Sequence, residues 1–336
     1  MLNTSLPTGR LGRTDLGVTK IGLGLAALGR PGYINLGHAG DLGREYSVEA
    51  MRQHAYAVLD AGWEAGIRYF DAARSYGRAE EFLGGWLAER SIRAEDVTVG
   101  SKWGYVYTAG WQVDARVHEV KQHTLEVFER QLGESRASLD GYLCLYQIHS
   151  ATRESGVLEN KAILAALAGC RDEGLAIGLT VSGPGQAGTI LQAVGIASGG
   201  RPLFDSVQAT WNLLEPSAGE ALAAAHRAGM GVIVKEALSN GRLTGRNDEP
   251  DFAKQKAALQ RAAADAGTTI DAFAIAAVLA QPWADIVLSG AAAPEQVASN
   301  VGAAGVVWDP AHASELAFLT EPPEDYWARR GRLPWG

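Results

Sequence analysis

The sequence lacks features that disulfide-rich, membrane-spanning and secreted proteins require. Its 336 residues include only two cysteines, Cys144 and Cys170, and no CxxC pair, which argues against a disulfide framework and favours buried structural thiols. The longest apolar run, 272–280, falls far short of the roughly 20 residues that span a bilayer. The start of the chain shows no apolar signal-peptide core, so we expect a cytoplasmic protein.

A strong positive charge is also missing. The net charge is −8 and no long basic run occurs, so we expect neither nucleic acid nor an anionic membrane surface as a partner. A short basic cluster, 329–332, is interpreted as part of a solvated tail. The hydrophobic fraction of 47% is ordinary for a globular protein and suffices for a large core.

What the chain does contain is a regular alternation of short apolar runs and helical stretches. The runs are almost continuously apolar, as expected of strands covered on both faces. Eight are predicted as strands: 20–26, 67–71, 97–102, 142–149, 175–182, 205–210, 231–238 and 285–290. Four intervening stretches have helical spacing of apolar residues: 48–66, 116–132, 160–174 and 219–229.

Strands joined by helices imply parallel crossovers, and eight such units without a break in composition favour one closed (β/α)₈ TIM barrel. We predict a single domain over 1–336, with a core of about 11–310 and a tail from 311 to 336. A doubly wound open sheet is the alternative. The glycine-rich stretch 27–47 is predicted as a long loop after the first strand, of the kind that forms a functional lid.

Polar residues stand at the ends of three consecutive predicted strands. Asp71 ends the second strand and Tyr76 follows in its loop, while Lys102 ends the third strand and His149 the fourth. In a barrel of this type the chemistry lies at the carboxyl ends of the strands. Each residue alone could be structural, for example a helix cap or a buried histidine. Together they predict one site.

These side chains are suited to acid–base catalysis at an oxygen atom. Tyrosine is a weak acid, and a nearby ammonium group favours its phenolate form. An aspartate paired with the lysine holds it in place, and a histidine can orient a carbonyl oxygen. The set fits carbonyl reduction or alcohol oxidation, but it supplies no hydride, which a cofactor must provide.

The sequence resembles the aldo-keto reductase family from residue 11 to residue 301. "FDAARSYGRAEEFLG" resembles its Asp/Tyr signature, "SKWG" its lysine strand and "LYQIH" its histidine strand. "KEALSNGRLTG" is similar to its phosphate-binding stretch, and "LSGAAAPEQVASNV" to its adenosine-binding stretch. The resemblance implies a barrel that binds NAD(P)(H) without a Rossmann fold. It also implies that Tyr76 is the general acid/base, Lys102 lowers its pKa, Asp71 anchors Lys102, and His149 positions the carbonyl.

The resemblance further implies a set of cofactor contacts. Ser182 and Gln208 would bind the carboxamide, although Gly183 stands where the family usually has asparagine. An indole at position 211 would stack on the nicotinamide. The pyrophosphate and adenosine contacts would come from backbone and side-chain groups of Leu238, Asn240, Gly241, Leu243, Gly290, Gln296 and Asn300.

The adenosine-binding stretch departs from the NADP-specific pattern. The family default is NADP(H), gripped through Lys, Arg or Ser, but this chain has Ala291, Ala292 and Gln296, with Glu295 nearby. Losing one charge-assisted contact to phosphate costs roughly 1.5–3 kcal/mol. We therefore predict weak discrimination for NADP(H) and use of NAD(H), unless Arg242 or Arg246 binds the phosphate.

The substrate is predicted to be a small aldehyde, ketone, sugar or alcohol. Tyr33, Trp103 and Trp327 are predicted to line its pocket, with His38 in the same first loop, unless these side chains only pack the loops onto the barrel. Two other functions compete: a cofactor-binding regulatory barrel without catalysis, and a metal-dependent hydrolase. The second is disfavoured because only His149 stands at a strand end and no HxH pair occurs, so no metal site is predicted.

Overall fold

Eight parallel strands close into a barrel in the computed structural model, which describes residues 6–336. Each strand pairs with the next along the chain, and the eighth pairs with the first. The predicted (β/α)₈ barrel is confirmed and the open-sheet alternative is wrong. The barrel strands are β1 Ile21–Gly24, β2 Tyr69–Asp71, β3 Thr98–Trp103, β4 Leu143–Ala151, β5 Ala176–Val181, β6 Ser206–Thr210, β7 Gly231–Lys235 and β8 Ile286–Ser289.

The register of the strands brings their carboxyl ends to one rim. Asp71 of β2 is opposite both Gly24 of β1 and Gly100 of β3, and Lys102 of β3 is opposite Gln147 of β4. The strand side chains are almost entirely buried, because helices cover the barrel outside and side chains fill it inside. The polar strand-end residues are therefore held by rigid neighbours.

Helices cover the barrel and fill the longer loops. Several begin at a side-chain cap: Ser47 accepts from the Ala50 amide, and Asn160 accepts from the amides of Ala162 and Ile163. The α-helices are α1 His38–Asp41, α2 Val48–Glu64, α3 Ala79–Glu89, α4 Leu125–Leu139, α5 Lys161–Asp172, α6 Gln186–Val194, α7 Gly219–Arg227, α8 Ala253–Asp265, α9 Ile270–Leu279, α10 Pro294–Gly302, α11 Ala311–Glu315 and α12 Pro323–Arg330.

The helix predicted over 116–132 is wrong in its first half. Residues Glu119–Lys121 form a strand that pairs antiparallel with Tyr105–Tyr107, and helix α4 starts only at Leu125. The Thr124 side chain accepts from the Val127 amide and marks this start. Helical spacing of apolar residues ran through the boundary, so the spacing alone did not reveal the hairpin.

Two further short hairpins lie outside the barrel. Thr8–Arg10 pairs with Gly17–Thr19 before β1, and Ala197–Ser198 pairs with Arg201–Pro202 before β6. Short 3₁₀ turns complete the connections at Ala94–Asp96, Val157–Glu159, Ser239–Gly241, Pro250–Phe252, Ala303–Gly305 and Ala317–Leu319.

The basic cluster near the end of the chain is not a solvated tail, contrary to the prediction. It belongs to helix α12 and the turn after it. Arg329 pairs with Glu249 and Asp251, and the Arg330 guanidinium pairs with the buried Glu236 carboxylate at the end of β7. These pairs bind the C-terminal segment to the rim of the barrel.

In the part of the chain that the structure describes, no single helix has both the length and the apolar composition to cross a membrane. Residues Pro250–Asp265 and Ile270–Leu279 meet both criteria only when taken together, and they are bent by 77° at the break between them.

Candidate active site

A cavity of about 390 Å³ opens at the carboxyl ends of the strands. It runs from the predicted catalytic residues at one end to the stretch after β8 at the other. Asp71, Tyr76 and His149 line the first end, and Gly290 and Asn300 line the second. The site predicted from strand ends and the groove predicted for a dinucleotide are therefore parts of one cavity.

Lys102 and Asp71 form a fully buried ion pair beneath this cavity. The Lys102 ammonium contacts the Asp71 carboxylate and donates to the Ala72 carbonyl oxygen at 2.7 Å. The second Asp71 oxygen accepts from Tyr69 at 3.1 Å and from Gln147 and Gln208 at 3.2 Å each. The carboxylate is thus fully bonded, and it fixes the ammonium in one position.

Tyr76 lies directly over this pair. The Lys102 ammonium is 4.7 Å from the centre of the Tyr76 ring. Burial raises the pKa of Tyr76 well above its ordinary value, and the Asp71 carboxylate adds to the rise. The cation that most opposes the rise is Arg30. Tyr76 is therefore a neutral phenol in this state, which is the form that donates a proton.

His149 faces Tyr76 across the cavity floor. The two rings meet edge to face with centroids 5.5 Å apart, and the Ser75 hydroxyl is 3.3 Å from His149 Nδ1. Burial lowers the pKa of His149 well below its ordinary value, and the charge of Lys102 lowers it further. When Ser75 donates to Nδ1, the neutral imidazole carries its proton on Nε2 and can donate to a carbonyl oxygen.

Arg30 is the main residue of this end that the sequence did not reveal. It is 2% exposed, its guanidinium is 5.2 Å from the Tyr76 ring centre, and it donates to the Ser75 carbonyl and to Glu119 at 2.9 Å each. Gly29 permits this approach, since a Cβ there would meet the Tyr76 carbonyl oxygen at 2.1 Å. Arg30 thus fixes the Tyr76 loop and adds a cation beside it.

The C-terminal residues close the cavity on the same side. Trp335 stacks on His118 with ring centres 4.0 Å apart, and the Arg30 guanidinium lies 4.8 Å from the Trp335 ring. The backbone of Gly336 pairs with that of Tyr33 in the first long loop. Trp335 therefore forms the aromatic wall of the cavity, the role that was predicted for Trp327.

The rest of the cavity fits a nicotinamide dinucleotide by its shape and donors. After β7 the backbone turns through Ser239, Asn240 and Gly241, all with positive φ, and the buried Asn240 Oδ1 has no hydrogen-bond partner. Beyond β8, Gly290 faces open space. A turn with unsatisfied polar groups, together with an open glycine in the segment that leads to α10, is suited to phosphate and ribose groups.

The first long loop crosses this groove, as expected of a lid. The Leu36 amide donates to the Asn240 carbonyl at 3.0 Å, and Asn35 accepts from the Asn240 side chain at 3.2 Å. Farther out, Asp41 pairs with Arg246 at 2.7 Å. A ligand in the groove would be covered by residues 35–41.

Most predicted contact residues line the cavity, but several do not. Those that line it are Ser182, Gln208, Leu238, Asn240, Gly241, Gly290, Gln296, Asn300 and Tyr33. The corrections are Trp211, Leu243, Trp103, Trp327 and His38, none of which belongs to the lining.

Packing explains each correction. Trp211 packs on Trp283 at 5.6 Å, and Trp103 packs on Phe128 at 5.0 Å, both in the core. The Leu243 amide is already bonded to the Leu238 carbonyl. Trp327 lies behind the wall of the cavity, against Lys235 and Arg330. His38 is 1% exposed, and burial lowers its pKa to about 4.

Lys235 is a cation in the cavity wall next to Gln208, where the indole of Trp211 was predicted. Lys235 ends β7, and its ammonium donates to Thr210 on the neighbouring strand at 3.1 Å. Glu236 follows in the left-handed backbone region, with φ 56°, and is held by Arg330. The strand predicted over 231–238 placed Lys235 in its interior, so the strand-end pattern that marked Asp71, Lys102 and His149 did not reveal it.

Comparison with protein families gives one match over nearly the whole chain. Residues 20–319 match the model of the "Aldo/keto reductase family". A curated relative, the uncharacterised oxidoreductase YqkF of Bacillus subtilis, is 26% identical over 88% of this chain and 90% of its own length. Pyridoxal 4-dehydrogenase of Microbacterium luteolum is 40% identical over 100 residues, which are 29% of this chain and 24% of that enzyme. This matched segment therefore spans about a quarter of that relative.

Solved structures share the fold. An aldo-keto reductase from Bacillus halodurans in its holo form superposes with a TM-score of 0.72 at 20% identity, covering 94% of this chain and 97% of that chain. A putative aldo-keto reductase from Pseudomonas aeruginosa gives a TM-score of 0.66 at 24% identity, covering 90% and 97%.

Proposed function

The chain belongs to the aldo/keto reductase family, and from this premise we propose that it is an NAD(P)-dependent oxidoreductase that interconverts a carbonyl and an alcohol. The observation that carries the proposal is the convergence of the Asp71–Lys102 pair, Tyr76 and His149 at one end of a single cavity. The substrate class is a small aldehyde, ketone or sugar, since aromatic side chains, among them Tyr33, Tyr105 and Trp335, line this end of the cavity.

Each member of this tetrad has a role that follows from its surroundings. Tyr76, neutral because it is buried, gives its proton to the substrate oxygen during reduction and accepts it back during oxidation. His149, also neutral, donates a hydrogen bond to the same oxygen and orients it. Lys102, held by Asp71, supports the phenolate that Tyr76 becomes after donating its proton.

The residues along the groove are proposed to hold the cofactor. When bound, the nicotinamide dinucleotide supplies or accepts the hydride. Ser182 and Gln208 would bind the carboxamide, the turn 238–241 the pyrophosphate, and Gly290, Gln296 and Asn300 the adenosine end. Residues 35–41 would cover the groove and exclude water.

We further propose that the adenosine end favours NAD(H). Asp271, at the start of α9, lines this end. Within residues 6–336, its carboxylate accepts one hydrogen bond, from the Ser299 hydroxyl. Arg246 also lines it but is paired with Asp41, and Arg242 is buried against Glu321 outside the cavity. A 2′-phosphate would meet an unpaired carboxylate there.

Replacing Asp271 by asparagine should therefore shift the preference towards NADPH. We expect NADPH to bind about three- to tenfold more tightly and NADH to change by less than about twofold, because only the 2′-phosphate carries the affected charge. Glu295→Gln is the matched control. The sequence placed the charge of Glu295 near a 2′-phosphate, but the side chain is exposed and outside the cavity lining, so solvent should screen it and either affinity should change by less than about twofold. Wild-type NADPH binding more tightly than NADH would contradict the proposal.

A substrate panel tests the activity itself. The full-length protein is given aldehydes, ketones and sugars with NADH or NADPH, and alcohols and sugars with the oxidised forms, while the reduced-nicotinamide absorbance is followed. The proposal predicts turnover with at least one substrate of this class. Tight cofactor binding without any turnover would favour the competing function, a regulatory barrel.

A further inference from the structure

Charged side chains that line the cavity are paired, with two exceptions. Arg30 pairs with Glu119, Asp41 with Arg246, Glu236 with Arg330, and Asp71 with Lys102. Among residues 6–336, the lining residues without an ion pair are Lys235 and Asp271. Asp271 stands at the adenosine end, and Lys235 stands near the tetrad. The ion pairs of the tetrad end therefore leave one net positive charge, that of Lys235.

Lys235 is held in place without being neutralised. An ammonium has three N–H donors, and the one hydrogen bond that the structure gives it goes to the neutral Thr210 hydroxyl at 3.1 Å. The carboxylate nearest along the chain, Glu236, is engaged by two nitrogens of Arg330, with contacts of 2.5, 2.8 and 3.1 Å. The charge on Lys235 is thus available to whatever fills the cavity.

The position of Lys235 assigns it to the reactive end of the groove. Strand β7 lies between β6, which carries Gln208, and β8, which precedes Gly290. Lys235 ends β7, just before the turn 238–241. Gln208 donates to Asp71, and Thr210, two residues farther along β6, is the register partner of Lys235, so Lys235 lies on the same rim as the tetrad. A hydride-transferring ring must reach the carbonyl held by Tyr76 and His149, so it must occupy this end.

We propose that Lys235 makes the site bind reduced nicotinamide dinucleotide more tightly than the oxidised form. The inference rests on the proposed function, because it requires a nicotinamide cofactor. The oxidised ring carries a positive charge and the reduced ring carries none, while the rest of the dinucleotide is the same. Lys235 repels only the oxidised ring. By linkage, Lys235 also makes reduction of the bound oxidised ring more favourable than in solution.

The size of the effect follows from Coulomb's law. Two unit charges about 6 Å apart at an effective dielectric constant of about 20 change a binding constant by roughly a hundredfold. The Glu236 carboxylate offsets part of this repulsion even though it is paired. We therefore expect the dissociation constant of NAD⁺ to exceed that of NADH by about tenfold or more at neutral pH.

Titration of Lys235 gives the effect a pH signature. Burial lowers the pKa of Lys235 to about 8, opposed mainly by the Glu236 carboxylate. The other charged groups that act on it are Arg330 from α12, Lys102 from β3 and Asp71 from β2. Lys235 is charged below pH 8 and neutral above it, so the preference for NADH should decline as pH rises through about 8.

The test is a pair of binding titrations that need no substrate. The dissociation constants of NADH and NAD⁺ are measured by quenching of tryptophan fluorescence between about pH 6.5 and 9.5, for the wild-type protein, Lys235→Met and Lys235→Arg. We expect the ratio of the two constants to be about tenfold or more at pH 7 in the wild type and to fall with pH. It should approach one at every pH in Lys235→Met and stay high at every pH in Lys235→Arg.

Two results would overturn the inference while leaving the proposed function intact. One is a wild-type ratio near one, and the other is a ratio that Lys235→Met does not change. If that variant weakened both forms equally, Lys235 would be a pyrophosphate contact. If neither nucleotide bound to the wild-type protein, the proposed function would fail together with the inference.

Discussion

Replacing Tyr76 by phenylalanine should abolish turnover while leaving the cofactor bound. The phenol is proposed to transfer the proton, and positioned acid–base catalysis contributes about 10²- to 10⁴-fold to a rate. We expect kcat to fall by about a thousandfold. The substitution keeps the ring that contacts Arg30 and His149, so the dissociation constant of NADH should change by less than about threefold.

A second tyrosine provides the control for this prediction. Tyr105 also lines the cavity, and its ring centre is 4.9 Å from that of His149. It lies on the hairpin after β3, and the lysine next to its ring, Lys121, is only half-buried and donates to the Ser150 carbonyl oxygen. Tyr105→Phe should lower kcat by less than about tenfold. Equal losses in the two variants, or a Tyr76→Phe protein with more than about a tenth of wild-type kcat, would show that Tyr76 is not the acid.

Removing the Lys102 charge should damage both stability and activity. The ion pair with Asp71 is completely buried, so Lys102→Met leaves an unpaired carboxylate in the core. Breaking a buried pair on one side costs about 3–5 kcal/mol, which is a large part of the stability of a typical domain. Turnover should fall by about a hundredfold or more, since the developing phenolate of Tyr76 loses its support.

A double variant separates the two effects of Lys102. Asp71→Asn combined with Lys102→Met removes both charges and keeps the approximate volume, so urea unfolding should show that more than half of the lost stability returns. Activity should not return, because the cation is still missing. If kcat recovered together with stability, the role of Lys102 would be structural only.

Much of the fold was readable from local apolar patterns. A strand buried on both faces is an almost continuous apolar run, and eight such runs each overlap a strand of the barrel, although β3 and β4 extend past the predicted ends at Lys102 and His149. The tetrad was readable for a related reason. A charged or polar residue such as Asp71, Lys102 or His149, placed where a buried run ends, has few structural roles, and parallel strands bring these ends to one rim.

The missed features depend on contacts that are distant in sequence. Arg30 lies in a glycine-rich loop without periodic signal, and only the folded chain shows that it pairs with Glu119 and packs on Tyr76. Trp335 reaches the site through the path of the C-terminal segment, which the pairing of Arg330 with Glu236 determines. Trp211 was an error of another kind: a large aromatic near a strand end fills the core here.

Transfer of deuterium from cofactor to product tests the central claim most directly. The wild-type protein is supplied with NADH carrying deuterium at the transferable position and with the best carbonyl substrate from the panel, and the alcohol is analysed by mass spectrometry. The proposed function predicts one deuterium on the former carbonyl carbon in the wild type and about a thousandfold slower label transfer in Tyr76→Phe. An alcohol formed without deuterium, or bound cofactor with no product across the whole panel, would contradict it.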